Sequence, residues 1–172
     1  NPFESAKRLL FKPDASSGGA APVDGSVAMA QLVEQRGETD KAIAMYRAIL
    51  ARTPHDSLVL HRLGVLYAQK EKFQVSKAFL EKAVKFEPHD SVILGDLGYA
   101  YYRCQRYADA ERILRQSLSR DPDDATSRNN LALVLCVQGE QDQALNEFKK
   151  IGSEAEAHAS LGFVLSQNNQ NK

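Results

Sequence analysis

Three stretches decide the fold: TPHDSLVLHRLGVLYAQ at 53–69, EPHDSVILGDLGYAYYR at 87–103 and DPDDATSRNNLALVLCV at 121–137. Their prolines, Pro54, Pro88 and Pro122, are spaced 34 residues apart each time. The same register aligns Leu63-Gly64, Leu97-Gly98 and Leu131-Ala132, with Met29-Ala30 as a looser first member. Four residues after each of those three leucines come Tyr67, Tyr101 and Leu135. Between these stretches a second line of small residues runs through Ala42, Ser76, Ala110 and Ala144. Each is followed four residues later by a large one: Tyr46, Leu80, Leu114 and Phe148. Spacings of three and four put the small and large residues on one helical face, and a proline closing each period stops the helix before it. A fixed period of this length means stacked helix pairs.

Each repeated choice has a physical cause. Gly64 and Gly98 let the first helix of a pair lie close to its neighbour, and Ala42, Ala110 and Ala144 do so for the second helix at little cost in helix propensity. Asp56, Asp90 and Asp124 precede a helix and are placed to cap its free N–H groups. Gly37 and Gly139 suit a turn that needs positive φ. The pattern predicts helices at about 26–36, 40–53, 57–70, 74–86, 91–104, 108–120, 125–138, 142–151 and 154–167.

These residues resemble the tetratricopeptide repeat family over about residues 23–152, as four repeats. A shorter helix then restarts the pattern at Leu161-Gly162. The first repeat lacks the leading aromatic and the Leu-Gly pair, the second has Ser76 for the usual Ala, and the fourth has no closing proline. End repeats are expected to depart in this way. The resemblance implies an all-α, right-handed α-solenoid of about four helix pairs plus a C-terminal capping helix. The domain organisation expected is an amphipathic arm at 1–11, a flexible linker at 12–25 rich in Gly, Ser, Pro and Ala, the repeat domain at 26–167 and a polar tail at 168–172. In the arm, Phe3, Ala6 and Leu10 share a helical stripe.

Composition narrows the function. The 172 residues are 43% hydrophobic and 26% charged, which suits a soluble globular chain rather than a disordered one. Lys plus Arg and Asp plus Glu are 22 each, a balance that argues against a dedicated nucleic-acid or anionic-membrane binder. No apolar run is long enough to span a membrane. Two cysteines, Cys104 and Cys136, give neither a disulfide scaffold nor a structural zinc site, and adjacent repeats hold them too far apart to pair easily. The chain begins at Asn1 and reads as a piece processed or excised from a longer protein.

In the family the first helix of each pair lines the concave face. Carried onto this chain, the groove residues are Gln31 and Gln35, then Leu58, His61, Val65 and Gln69, then Val92, Tyr99, Tyr102 and Arg103. Asn129, Leu133, Cys136 and Val137 follow, with Phe163 in the cap. The resemblance implies a non-catalytic scaffold that binds a protein or peptide segment. The carboxylate clamp of chaperone-adaptor members is not made. Its positions hold Val27, Gln31, Arg62, Val92 and Asp96, or one repeat later His61, Val65, Asp96, Thr126 and Asn130.

Two alternatives stand beside this. Arg103, Arg106, Arg112, Arg115 and Arg120 lie near Tyr99, Tyr102 and Tyr107, as an RNA-reading helical repeat would need. Asp96, Asp109, Glu111 and Asp121 interleave with them as on a solvated face. Self-association through exposed end helices or exchange of the arm, with the arm occupying the groove, is the other. An enzyme is not expected: no HExxH, GxSxG, phosphate-binding loop or dinucleotide fingerprint occurs, and neither metal nor cofactor is implied. His55 and His89 sit in matched PHD turns at helix C-termini, where they compensate the dipole. Residues 128–165 also resemble the last part of bacterial tetratricopeptide proteins of tight-adherence (Flp) pilus assembly. That resemblance implies a bacterial origin, a cytoplasmic or periplasmic setting and an assembly role at an envelope machine.

Overall fold

A computed structural model describes residues 23–170, and every regular element among them is a helix. In chain order these are α1 (Val23–Gln35), α2 (Thr39–Leu50), α3 (Ser57–Gln69), α4 (Phe73–Phe86), α5 (Ser91–Arg103), α6 (Tyr107–Arg120), α7 (Ala125–Gln138), α8 (Gln141–Lys149) and α9 (Glu154–Gln170). They form two compact units, one up to Glu87 with α1–α4 and one from Pro88 with α5–α9. The arm at 1–11 lies outside the described residues, as does the linker up to residue 22. Helix α1 begins at Val23, three residues before the expected start, and α2 stops at Leu50 rather than at 53. Pro54 accounts for the loss of Thr53, since its ring disfavours helical geometry there.

In the first unit α1 pairs with α2 and α3 with α4. The core joins Ala30, Ala42, Ile43, Tyr46, Ile49, Val59, Leu63, Leu66 and Tyr67, with Val75 and Phe79 packed on its edge. Tyr67 stacks on Phe79 with ring centroids 5.5 Å apart. Gly64 is required by close approach: a Cβ there would stand 2.6 Å from Cγ of Leu80, which is fully buried. The second unit repeats the device, since a Cβ at Gly98 would stand 2.4 Å from Cγ of the fully buried Leu114. Filling these seats with a buried leucine stabilises each pair by about 2 kcal/mol. In the same unit Ser117 Oγ donates to the Ser91 carbonyl at 2.8 Å and lies 3.1 Å from Ser127 Oγ. Arg128 bridges to Glu147 at 2.8 Å, tying α7 to α8.

Caps form where expected. Asp56 accepts from Val59 N at 3.0 Å, Asp90 from Val92 N and Ile93 N at 2.9 and 3.1 Å, and Asp124 from Thr126 N at 2.9 Å. The turns inside the pairs hold a feature that composition hides. Gly37 and Gly139 have positive φ, as expected, but so do Glu71 (59°) and Gln105 (61°). All four take one register position. At each, the following N–H bonds back five residues: Glu38 to Val33, Lys72 to Tyr67, Arg106 to Tyr101 and Glu140 to Leu135, at 2.9–3.1 Å. This is the Schellman closure of a helix end, and it demands the left-handed residue whether or not glycine fills it.

Candidate functional site

The first helices of the pairs carry the predicted residues, and each unit presents its own face. In the first unit, α1 and α3 border a cleft of about 560 Å³ lined by Gln31, Glu34, Gln35, Gly37, Thr39, Leu58, His61, Arg62 and Gln69. Five predicted positions, Gln31, Gln35, Leu58, His61 and Gln69, therefore meet in one place. Val65 lies half-buried on α3 but does not line the cleft.

The lining also holds a group that the sequence reading missed. Glu34 accepts a hydrogen bond from the Tyr46 hydroxyl at 2.9 Å and from Arg62 Nε at 3.2 Å, and forms an ion pair with the Arg62 terminal nitrogen. Burial raises the Tyr46 phenol pKa, and the Glu34 carboxylate raises it further. The hydrogen bond that Arg62 donates to Glu34 raises the Arg62 pKa above its ordinary value and outweighs burial. The charges on this wall are thus neutralised internally. The amides of Gln31, Gln35 and Gln69 each donate and accept, which suits a peptide backbone.

The second unit presents an aromatic face. On α5, Val92 is 61% exposed, Tyr99 and Tyr102 are half-buried and Arg103 is exposed. The Tyr99 and Tyr102 rings are 6.4 Å apart, and Tyr102 and Tyr107, at the start of α6, are 6.1 Å apart. These are tilted arrangements of the kind aromatic pairs favour. Arg103 Nη1 donates to the Tyr99 hydroxyl at 2.7 Å, with the guanidinium carbon 5.7 Å from that ring centroid. Burial pushes the Tyr102 phenol pKa up, with Tyr107 adding to it.

On α7, Asn129 is exposed and Leu133 and Val137 are half-buried. Cys136 is a correction. It is only 4% exposed, and burial pushes its thiol pKa up to about 11, so it belongs to the core and is neither a groove residue nor a nucleophile. On α9, Phe163 is 66% exposed. Neither Cys104 nor Cys136 is in a disulfide.

The other four arginines of the third repeat have acidic or imidazole neighbours. Arg106 and Arg112 reach Asp109 at 2.5 and 3.4 Å, Arg115 reaches Glu111 at 2.9 Å, and Arg120 reaches His89 Nδ1 at 3.0 Å. Among the described residues no group of three or more His, Cys, Asp or Glu could hold a metal. None of their helices is long and apolar enough to cross a membrane.

Comparison with known proteins agrees with this geometry. The tetratricopeptide repeat description matches at residues 23–66, 67–128 and 125–151. A BBSome complex member, bbs-4 of Caenorhabditis elegans, is 32% identical over 83 residues, 47% of this chain, while the chain spans only 16% of that protein. Among solved structures, a MamA protein superposes with a TM-score of 0.74 at 20% identity, covering 86% of each chain. MamA of Desulfovibrio magneticus RS-1 gives 0.73 at 16% identity over 90% of this chain and 85% of its own. YrrB, a tetratricopeptide protein with an unusual peptide-binding site, gives 0.71 at 20% identity over 85% of this chain and 75% of its own. With family matches running from residue 23 to 151 and the helix pairs laid out as its repeats require, the chain belongs to the tetratricopeptide repeat family.

Proposed function

We propose that this chain is a non-catalytic protein-interaction scaffold that holds a peptide or protein segment on the faces of its first helices. The observation that carries the reading is the tyrosine cluster of the second unit. Tyr99, Tyr102 and Tyr107 form a half-buried aromatic surface, with Arg103 over one ring. Rigid amphipathic rings beside an arginine are the groups that dominate binding energy at protein interfaces. Exposed Val92 and Asn129 and half-buried Leu133 and Val137 border them in sequence register, and Phe163 extends the set to α9. The cleft of the first unit, with Leu58, His61 and Gln69 at its wall, supplies backbone-pairing groups for the same class of ligand. Val65 is the remaining outward position of α3.

The ion pairs of Arg106, Arg112 and Arg115 support a solvated helix face over an RNA track. The assembly role at a bacterial envelope machine rests on the resemblance of residues 128–165 alone. A random-peptide phage library selected on the intact chain tests the proposal. The enriched peptide should lose at least tenfold in affinity with Tyr99→Ala and Tyr102→Ala, about 1.4 kcal/mol or more. If no peptide is enriched, or affinity is unchanged while circular dichroism shows an intact fold, the face assignment fails.

A further inference from the structure

Among the described residues, α9 has the register of a first helix and no second helix of its own packs on it. In α3 and α5 the register positions Leu60 and Leu94, Leu63 and Leu97, Gly64 and Gly98, and Tyr67 and Tyr101 are all buried. Their equivalents on α9 are His158, Leu161, Gly162 and Leu165. His158 and Gly162 are exposed, and the two leucines are only half-buried. The glycines show the difference most directly. A Cβ at Gly64 or Gly98 would collide with Leu80 or Leu114, whereas a Cβ at Gly162 would meet nothing within 4 Å. Gly162 thus sits at the position that receives a leucine from a second helix, and among the described residues no leucine fills it.

The helices that fill the other two seats share a key. Helix α4 opens Phe73-x-x-Ser76-x-x-x-Leu80, and α6 opens Tyr107-x-x-Ala110-x-x-x-Leu114. An aromatic, then Ala or Ser three residues on, then Leu four further, occurs once more in the chain. That third instance is Phe3-x-x-Ala6-x-x-x-Leu10, in the stretch FESAKRLL before the first repeat. The small residue lets two helices approach and the leucine enters the glycine seat, so the spacing is what the seat selects.

We infer that residues 3–10 of one copy of this chain seat on α9 of a second copy, Leu10 taking at Gly162 the place that Leu80 takes at Gly64. The contact is heterologous. The key lies at one end of the sequence and the seat at the other, so each bound copy still offers a free seat and a free key, and the assembly grows head to tail. It does not use the tyrosine face, which stays available for a ligand.

Two variants of the full chain separate this from a structural effect. Gly162→Gln introduces a side chain where the chain's own fold leaves open space and improves helix propensity, so it does not unfold α9 but fills the seat. Leu10→Asp removes the key. Light scattering of the unaltered chain should show mass rising with concentration above the 19.0 kDa of one chain. Each variant alone should stay at that mass. Mixed, they should form a one-to-one complex that grows no further, because one retains the seat and the other the key. A wild-type mass independent of concentration, assembly that survives either substitution, or a mixture that stays monomeric would each overturn the inference. So would an arm that protects α9 from hydrogen exchange within a monomer.

Discussion

The two units fill the same register positions with opposite chemistry. Glu34 in the first repeat corresponds to Ala68 in the second, Tyr102 in the third and Cys136 in the fourth. In the first unit the position carries a carboxylate held between Tyr46 and Arg62, and in the second it carries the central ring of a tyrosine cluster. Val65 and Gln69 likewise become Tyr99 and Arg103. The packing beneath is the same: Leu63, Gly64 and Tyr67 of α3 and Leu97, Gly98 and Tyr101 of α5 all go to the core. The repeat therefore constrains what a first helix buries and leaves free what it displays. One unit uses that freedom for an internal ion pair, the other for an aromatic surface.

The sharpest way to break this comparison is Arg62→Met. It leaves Glu34, whose side chain is 11% exposed, hydrogen-bonded only to Tyr46. A loss of about 2 kcal/mol is expected, below the figure for a fully buried pair because the guanidinium is 32% exposed. Urea denaturation followed by hydrogen exchange should place the loss in α1–α3 and leave α5–α7 protection unchanged. An equal loss in both units would mean that the pair does not belong to the first unit's stability alone.

A smaller change should act alike on both units. Glu71→Gly and Gln105→Gly relieve a left-handed residue at the turn, and the added freedom of the unfolded chain offsets part of the gain. Each should stabilise by roughly 0.5–1 kcal/mol, read from the urea midpoint. Gly37→Ala and Gly139→Ala, made at the same register position, should destabilise.

The smallest effect is in acid. In the second unit, burial raises the carboxyl pKa values of Glu111 and Glu147, but hydrogen bonds from Arg115 and Gln138, and from Lys150 and Arg128, bring both below the usual 4.5. Glu154 and Glu156 are lowered by Lys149 and by Ser153. In the first unit Glu38 is lowered by Lys41. Depressed folded-state values mean that these groups stabilise fully above about pH 4.5 and lose that contribution as the pH falls through them. The second unit, with four such carboxylates, should lose exchange protection at a higher pH than the first. The reverse order would show that the ion pairs on its surface contribute little.

The helix pairs were readable because their period repeats. The span 125–138 was expected and is observed, and the caps at Asp56, Asp90 and Asp124 follow from their position before each helix. What escaped had no local mark. Glu71 and Gln105 look like ordinary polar residues, and only their register with Gly37 and Gly139 gives away their backbone. Glu34 and Arg62 lie 28 residues apart, off the repeat period, so no spacing rule pairs them. Register with Tyr102 points Cys136 to the groove. A small thiol at that position is covered, where a large ring reaches out.

The four identical turns have a kinetic consequence. Each helix pair is closed by hydrogen bonds that span no more than five residues, so a hairpin can form before any distant part of the chain arrives. Nucleation then has four equivalent starting points. Growth proceeds by adding a neighbour to whichever pair formed first, so a substitution in one turn slows one route without closing the others.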